Sequence, residues 1–364
     1  MSDNVRRFMT IKAALHKLYP KPLSGRQRQS MTVLAMFING IVASGSTHQR
    51  EVAKRTPTGA KTNSREKQLY RWYANENNEA SIYFLPFIES LLAGLDERTY
   101  TIAIDGSEIG RGCLCLMATL IYQKRAIPLA WVVVQGNKGH FPATTHCELL
   151  AQVQARLPQD ASVVVVGDGE FDSIALQKAI QAMNWEYVCR TASSSQIFYE
   201  GEWIALSALG VLRGNRIWLT DVLFSYQEFG PVSLMLWWDK AEKEPLYLVS
   251  NLELACEACS FYKKRMCIET FFSDQKSRGF HLHKSHVSDP ARLARLLIAA
   301  CLAYIWIIYL GVVAKQDNWV AIIHRPDRCD LSLFQLGLDL LEHFLNEILP
   351  IPVKFHLPLP ISIS

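Results

Sequence analysis

Neither an internal repeat nor a low-complexity tract appears anywhere in the chain, and charge is sparse: 20% of residues are charged against 49% apolar. That balance excludes an intrinsically disordered protein and points to a folded one. A disulfide framework is missing too. The nine cysteines are odd in number, follow no framework spacing and have no signal peptide upstream, so they are expected to be reduced thiols of a cytosolic protein. Cys113 and Cys115 alternate within an apolar run and would share one face of a strand. Cys256-x2-Cys259 lacks a second such pair or a nearby His pair, so no structural zinc is expected.

At 364 residues the chain is too long for one ordinary core and suggests two or three units. The net charge is only +4, yet residues 1–75 carry 14 Lys or Arg, including Lys54, Arg55, Arg65, Lys67 and Arg71, against Asp3, Glu51 and Glu66. Such a block fits a polyanionic partner, or else a solvated basic face. Residues 296–314, LLIAACLAYIWIIYLGVVA, are long and apolar enough to cross a membrane. A helix buried on all sides in a large core has the same composition, and that reading, with no membrane partner, suits the rest of the chain.

Apolar spacing in FMTIKAALHKLY, SMTVLAMFINGIVAS and SIYFLPFIESLLAGL predicts helices through about residue 95. Residues 64–72 begin with an N-cap-type Ser and are basic along one side, which suits a helix laid on DNA. From Thr99 the period shortens. TYTIAID, CLCLMATLIYQ and RAIPLAWVVVQ read as three strands, then HCELLAQVQARL as a helix, SVVVVGD as a strand, DSIALQKAIQAMNW as a helix and YVCRTA as a strand. This β-β-β-α-β-α-β order is that of the RNase H-like fold. The expected organisation is a helical DNA-binding domain over 1–95, a first core part over 96–195, a β-rich insertion subdomain over 196–251, and a second core part with C-terminal helices over 252–364.

Asp105 and Asp168 each end a strand that this order places side by side at the centre of the sheet. Farther on, Tyr262, Arg265, Glu269 and Lys276 form Y-x2-R-x3-E-x6-K. On one continuous helix, at ~100° per residue, these four fall within about 60° of each other. Glu269 could then close a carboxylate cluster with Asp105 and Asp168. Three such groups repel one another unless cations neutralise them, and Mg2+ accepts oxygen ligands of this kind. Among neighbouring acids, Glu108 is expected past its strand end, Asp172 at a helix N-cap, and Asp274 in solvent. His281, His283, Lys284 and His286 are read as loop contacts to phosphate rather than as a metal site.

The Tyr262-Arg265-Glu269-Lys276 spacing matches the YREK signature of IS4-type transposases, the group that includes the Tn5 and Tn10 transposases. GDGEFD around Asp168 resembles that group's second acidic motif, with Gly169 where Arg is common, and RAIPLAW followed by KGH resembles the segment between its first two acids. The resemblance spans roughly residues 99–286. It implies a cut-and-paste DNA transposase with catalytic, metal-holding Asp105, Asp168 and Glu269, using two Mg2+ ions for which Mn2+ substitutes. It also implies phosphate contacts from Tyr262, Arg265 and Lys276, double-stranded terminal-repeat and target DNA as partners, a homodimer on DNA, and a bacterial cytoplasmic, nucleoid-associated location. By the same analogy the second strand is cut through a hairpin, with an aromatic of the insertion stacking on an extruded base; Tyr247, Trp237 and Trp238 are the candidates. A structure-selective nuclease and a catalytically silent DNA-binding protein are the alternative functions.

Overall fold

A computed structural model describes residues 1–95, 99–136, 141–325 and 329–359; the Lys138-Gly139-His140 piece of the family-like segment lies outside them. Six helices come first: α1 (Asp3–Leu18), α2 (Gly25–Ser44), α3 (Gln49–Arg55), α4 (Thr62–Ala74), α5 (Ala80–Tyr83) and α6 (Leu85–Ala93). A capping box starts α2, where Ser24 Oγ accepts from the Gln27 amide and Gln27 Oε1 from the Ser24 amide. Gly45 stops it at φ 58°, a left-handed conformation that glycine adopts without a Cβ penalty. Buried Arg7 ties three helices together. Its Nε donates to Asn39 Oδ1 at 2.9 Å, and Asn39 Nδ2 donates to the Arg55 carbonyl at 2.9 Å.

Three strands follow, β1 (Thr99–Ile109), β2 (Cys113–Tyr122) and β3 (Arg125–Gln135), then α7 (Ala143–Gln154), β4 (Ser162–Gly167), α8 (Ile174–Ala182) and β5 (Glu186–Arg190). The meander β1-β2-β3 is antiparallel, while β4 joins β1, and β5 joins β4, in parallel. This 3-2-1-4-5 arrangement is the RNase H-like core. Its central β4, SVVVVG, is apolar at nearly every position because helices or strands cover both faces.

Beyond the core come β6 (Gln196–Tyr199), β7 (Glu202–Ala205), β8 (Arg216–Phe224), β9 (Phe229–Trp237) and β10 (Leu246–Ser250). They do not build a sheet of their own. β10 returns antiparallel onto the open edge of β5, with Leu248 opposite Arg190, and the rest continue outward to give one ten-stranded sheet, β3-β2-β1-β4-β5-β10-β9-β8-β6-β7. Pairing satisfies backbone groups that β5 would otherwise leave exposed along its edge.

The chain then forms α9 (Ala258–Lys264), α10 (Met266–Gln275), α11 (Pro290–Gln316), α12 (Val320–Ile323) and α13 (Leu333–Asn346). The apolar run falls inside α11, which starts at Pro290 under an Asp289 cap and packs against β3, α2, α4 and α13. It is buried all round within the protein. Two glycines let α11 and α13 touch backbone to backbone: a Cβ on Gly311 would stand 1.9 Å from the Leu333 carbonyl oxygen, and one on Gly337 1.9 Å from that of Ile307.

Candidate active site

Parallel pairing of β1 with β4 runs from Thr99 opposite Ser162 to Ala103 opposite Val166. Continued by two residues, that register sets Asp105 beside Asp168, which follows the carboxyl end of β4; Asp105 itself does not end its strand as expected, because pairing with β2 carries β1 on to Ile109. Asp105 Oδ1 accepts from the Gly106 amide at 2.8 Å, and Asp168 Oδ1 from the Glu170 amide at 3.0 Å. The turn after Asp168 is tight because residue 167 is glycine. A Cβ there would lie 2.6 Å from Phe171 Cβ.

Electrostatics follow from this geometry. Burial, reinforced by the Asp168 carboxylate and by Glu269, pushes Asp105 up to about 7 against the opposing pull of Arg265 and the Gly106 amide. Arg265 stands between the acids, with Nη1 3.7 Å from Asp105 Oδ2 and Nη2 2.5 Å from Glu269 Oε1. Its guanidinium also lies over the Tyr262 ring, 5.6 Å from the centroid, and its buried Nε has no hydrogen-bond partner.

These residues do not share one four-turn helix. α9 stops at Lys264, and i+3 bonds from the Arg265 amide to the Tyr262 carbonyl and from the Ile268 amide to the Arg265 carbonyl tighten the joint before α10. Lys276 is already outside α10, at φ −96°, ψ −101°. Tyr262, Arg265 and Glu269 meet across the joint. Lys276 arrives by another route, its Nζ donating to Ser107 Oγ at 2.6 Å. Ser107 lies two residues from Asp105 on β1, hence on the same face. Burial lowers the Lys276 ammonium below its usual range, while Glu108, Cys115 and Asp105 oppose the shift.

Three expectations about neighbouring acids are corrected. Asp274 is not solvated: it is buried and paired with Arg125, Nη1 to Oδ2 at 2.9 Å, because β3 brings a cation onto that face of α10. Burial pushes it up to about 6, against Arg125 and Arg278. The cap of α8 is Ser173, whose side chain accepts from the Leu176 amide, while Asp172 Oδ2 accepts from Thr191 Oγ1 at 2.7 Å. Glu108 lies within β1, which its pairing with β2 extends to Ile109. Glu170 Oε1 accepts from the Phe141 amide at 2.6 Å beside His146 Nε2.

Arg190 is a site residue that sequence reasoning missed. At the end of β5 it borders two clefts, one of ≈600 Å³ with Asp168 and Tyr247, the other of ≈780 Å³ with Tyr262, Arg265 and Trp237. Its signal was a basic residue ending the strand next to that of Asp168. Of the three aromatic candidates, Tyr247 is mostly buried but faces the first cleft. Trp238 Nε1 donates to the Glu242 carbonyl at 3.3 Å. The Trp237 ring carries two cations, Lys263 Nζ at 4.4 Å and the Arg216 guanidinium at 5.1 Å from the centroid.

Among the described residues no three His, Cys, Asp or Glu side chains are grouped closely enough to hold a metal ion; Glu269 is engaged with Arg265. The chemistry of the donors still fits a hard divalent cation. Asp105 and Asp168 offer only oxygen, and burial next to the Asp168 carboxylate holds the proton on Asp105 to about 7.

Residues 99–306 match the family described as Transposase DDE domain. Among solved structures the chain is similar to the piggyBac transposase in a cryo-EM structure of its synaptic complex with hairpin DNA. That similarity has 13% identity and a TM-score of 0.48, and covers 96% of this chain and 82% of that one. No curated protein matches.

Proposed function

Because this chain belongs to the Transposase DDE domain family, we propose that it is a cut-and-paste transposase of the IS4 type, which cleaves DNA at the terminal inverted repeats of its element and joins the 3′ ends to target DNA. Membership makes it a DDE transposase, a metal-dependent enzyme of DNA cleavage and strand transfer. The finer reading adds Mg2+ as the metal, a homodimer that pairs the two ends, and a hairpin on the second strand. The observation that supports DDE chemistry in this chain is Asp105 beside Asp168 on parallel strands, with Arg265 and Glu269 brought near Asp105 across the α9–α10 joint.

Asp105, Asp168 and Glu269 would hold the cations, which when bound neutralise charge at the reacting phosphate and activate the attacking hydroxyl. The chain's own residues do the positioning. Glu269 can join the aspartates once Arg265 lets go of it, and a DNA phosphate suits the freed guanidinium, which binds such groups bidentately. The Tyr262 ring supports the guanidinium from one side. Lys276, anchored at Ser107, and Arg190, at the cleft wall, add cations on two more sides. Tyr247 is the aromatic best placed to meet an extruded base, since it shares a cleft with Asp168.

The test uses the full chain, a duplex bearing the repeats from its own locus, and Mg2+ with a chelated control. Asp105→Asn, Asp168→Asn and Glu269→Gln should each slow cleavage roughly a thousandfold or more, as loss of several kcal/mol of transition-state stabilisation requires, and leave repeat binding nearly unchanged. Cleavage without joining of 3′ ends would identify a nuclease instead. Cleavage near the wild-type rate in one variant would remove that residue from the site.

A further inference from the structure

The Trp237 ring with its two cations has no part in the chemistry above. Arg216 is the cross-strand neighbour of Trp237 on β8, and Lys263 reaches the same ring from α9. Both are exposed. Among the described residues neither has a carboxylate within ion-pair distance, so two like charges are drawn to one aromatic ring with no acid paired to either. Lys240 adds a third. Its stem lies where a Cβ on Gly214 would be, 2.9 Å from Lys240 Cε, and Gly214 has φ +90°. Arg216, Trp237 and Lys240 border a cleft of ≈610 Å³ whose one acid is Asp239.

Trp237 also borders the ≈780 Å³ cleft that holds Tyr262, Lys263 and Arg265. The wall of that cleft carries Arg190, Lys243, Lys263 and Arg265 against Asp239, Glu242 and Glu244, so the cations that lead from the guanidinium at the carboxylates out over β9 and β8 hold a slight excess over the acids. A ring quadrupole orients cations without neutralising them. Cations held this way remain available to an anion. Their spread over two clefts that share Trp237 suits a chain of phosphates rather than a single one.

We propose that Arg216 and Lys263, ordered by Trp237, form with Lys240 a clamp for the phosphate backbone of the DNA strand leading away from Asp105 and Asp168. Trp237 is then a platform for cations and not a surface for a base. The proposal rests on the transposase reading, and its test separates the two.

Binding of the full-length protein to an intact, fluorescently labelled repeat duplex is measured by anisotropy over a range of KCl concentrations, without divalent metal. The combined variant Arg216→Gln/Lys263→Gln should bind about tenfold more weakly at low salt. Its log K against log[salt] slope should be shallower by ~1–2, since each phosphate contact contributes about 0.9. Trp237→Leu should bind the intact duplex about three- to tenfold more weakly, and Trp237→Phe should restore it. A base-stacking ring would act only after a base leaves the helix, so it predicts unchanged duplex affinity in Trp237→Leu together with slowed hairpin formation. That result, or an unchanged salt slope in the Arg216/Lys263 variant, overturns the clamp. If the wild-type protein binds no repeat DNA at any salt, the transposase reading falls and the clamp with it; binding with an unaltered slope overturns the clamp alone.

Discussion

Replacing Asp105 with Asn should make the metal-free protein more stable at pH 8 and change little at acid pH. Folded Asp105 titrates at about 7, against 3.8 for an ordinary aspartate. Between those values the folded chain keeps a proton that the unfolded chain has released. Unfolding free energy therefore falls as pH rises through this window and levels off above about 7. Moving a carboxyl from 3.8 to about 7 corresponds to ~4 kcal/mol at about 1.4 kcal/mol per pH unit, roughly 3 of it lost between pH 5 and 8. The side chain is only 15% exposed, so solvent screening removes little of this. Asn keeps an oxygen to accept from the Gly106 amide but never ionises beside Asp168. Urea unfolding in EDTA at pH 5 and pH 8 measures the difference, which should grow by about 2–3 kcal/mol in favour of the variant at the higher pH. An equal difference at both pH values, or a variant less stable at pH 8, would refute the reasoning. Functional sites carry destabilising charge of this kind because activity requires it.

Arg125→Met leaves the buried Asp274 carboxylate without its partner and should destabilise the protein by ~3–5 kcal/mol at pH 8. The loss should shrink at pH 5, below the value of about 6 at which Asp274 titrates, and Arg125→Met/Asp274→Leu should recover much of it, all read by urea unfolding. Gly337→Ala drives a methyl into the Ile307 carbonyl of α11 and should cost ~1–3 kcal/mol or more as the helices separate; a thermal midpoint equal to wild type would contradict that contact.

Much of the architecture is local in origin and was therefore legible in the chain. Alternation in TYTIAID and the apolar run SVVVVG specify strands, and the known strand order of the fold then sets Asp105 beside Asp168. Helical spacing likewise foretold α1, α2 and α6, and the all-round burial of α11 follows from its lack of a polar face. The rest depended on partners distant in sequence. Asp274 looked solvated because nothing in its own helix reveals that Arg125, 149 positions away, would meet it. Lys276 reaches Asp105's strand through Ser107 and not along a helical stripe, because the joint at Arg265 and the end of α10 redirect the chain. Residues 196–251 read as short strands, but only the open edge of β5 decides that they extend the core sheet. Periodicity records which face of an element is apolar. What covers that face, and which charge answers a buried charge, is decided when the elements pack.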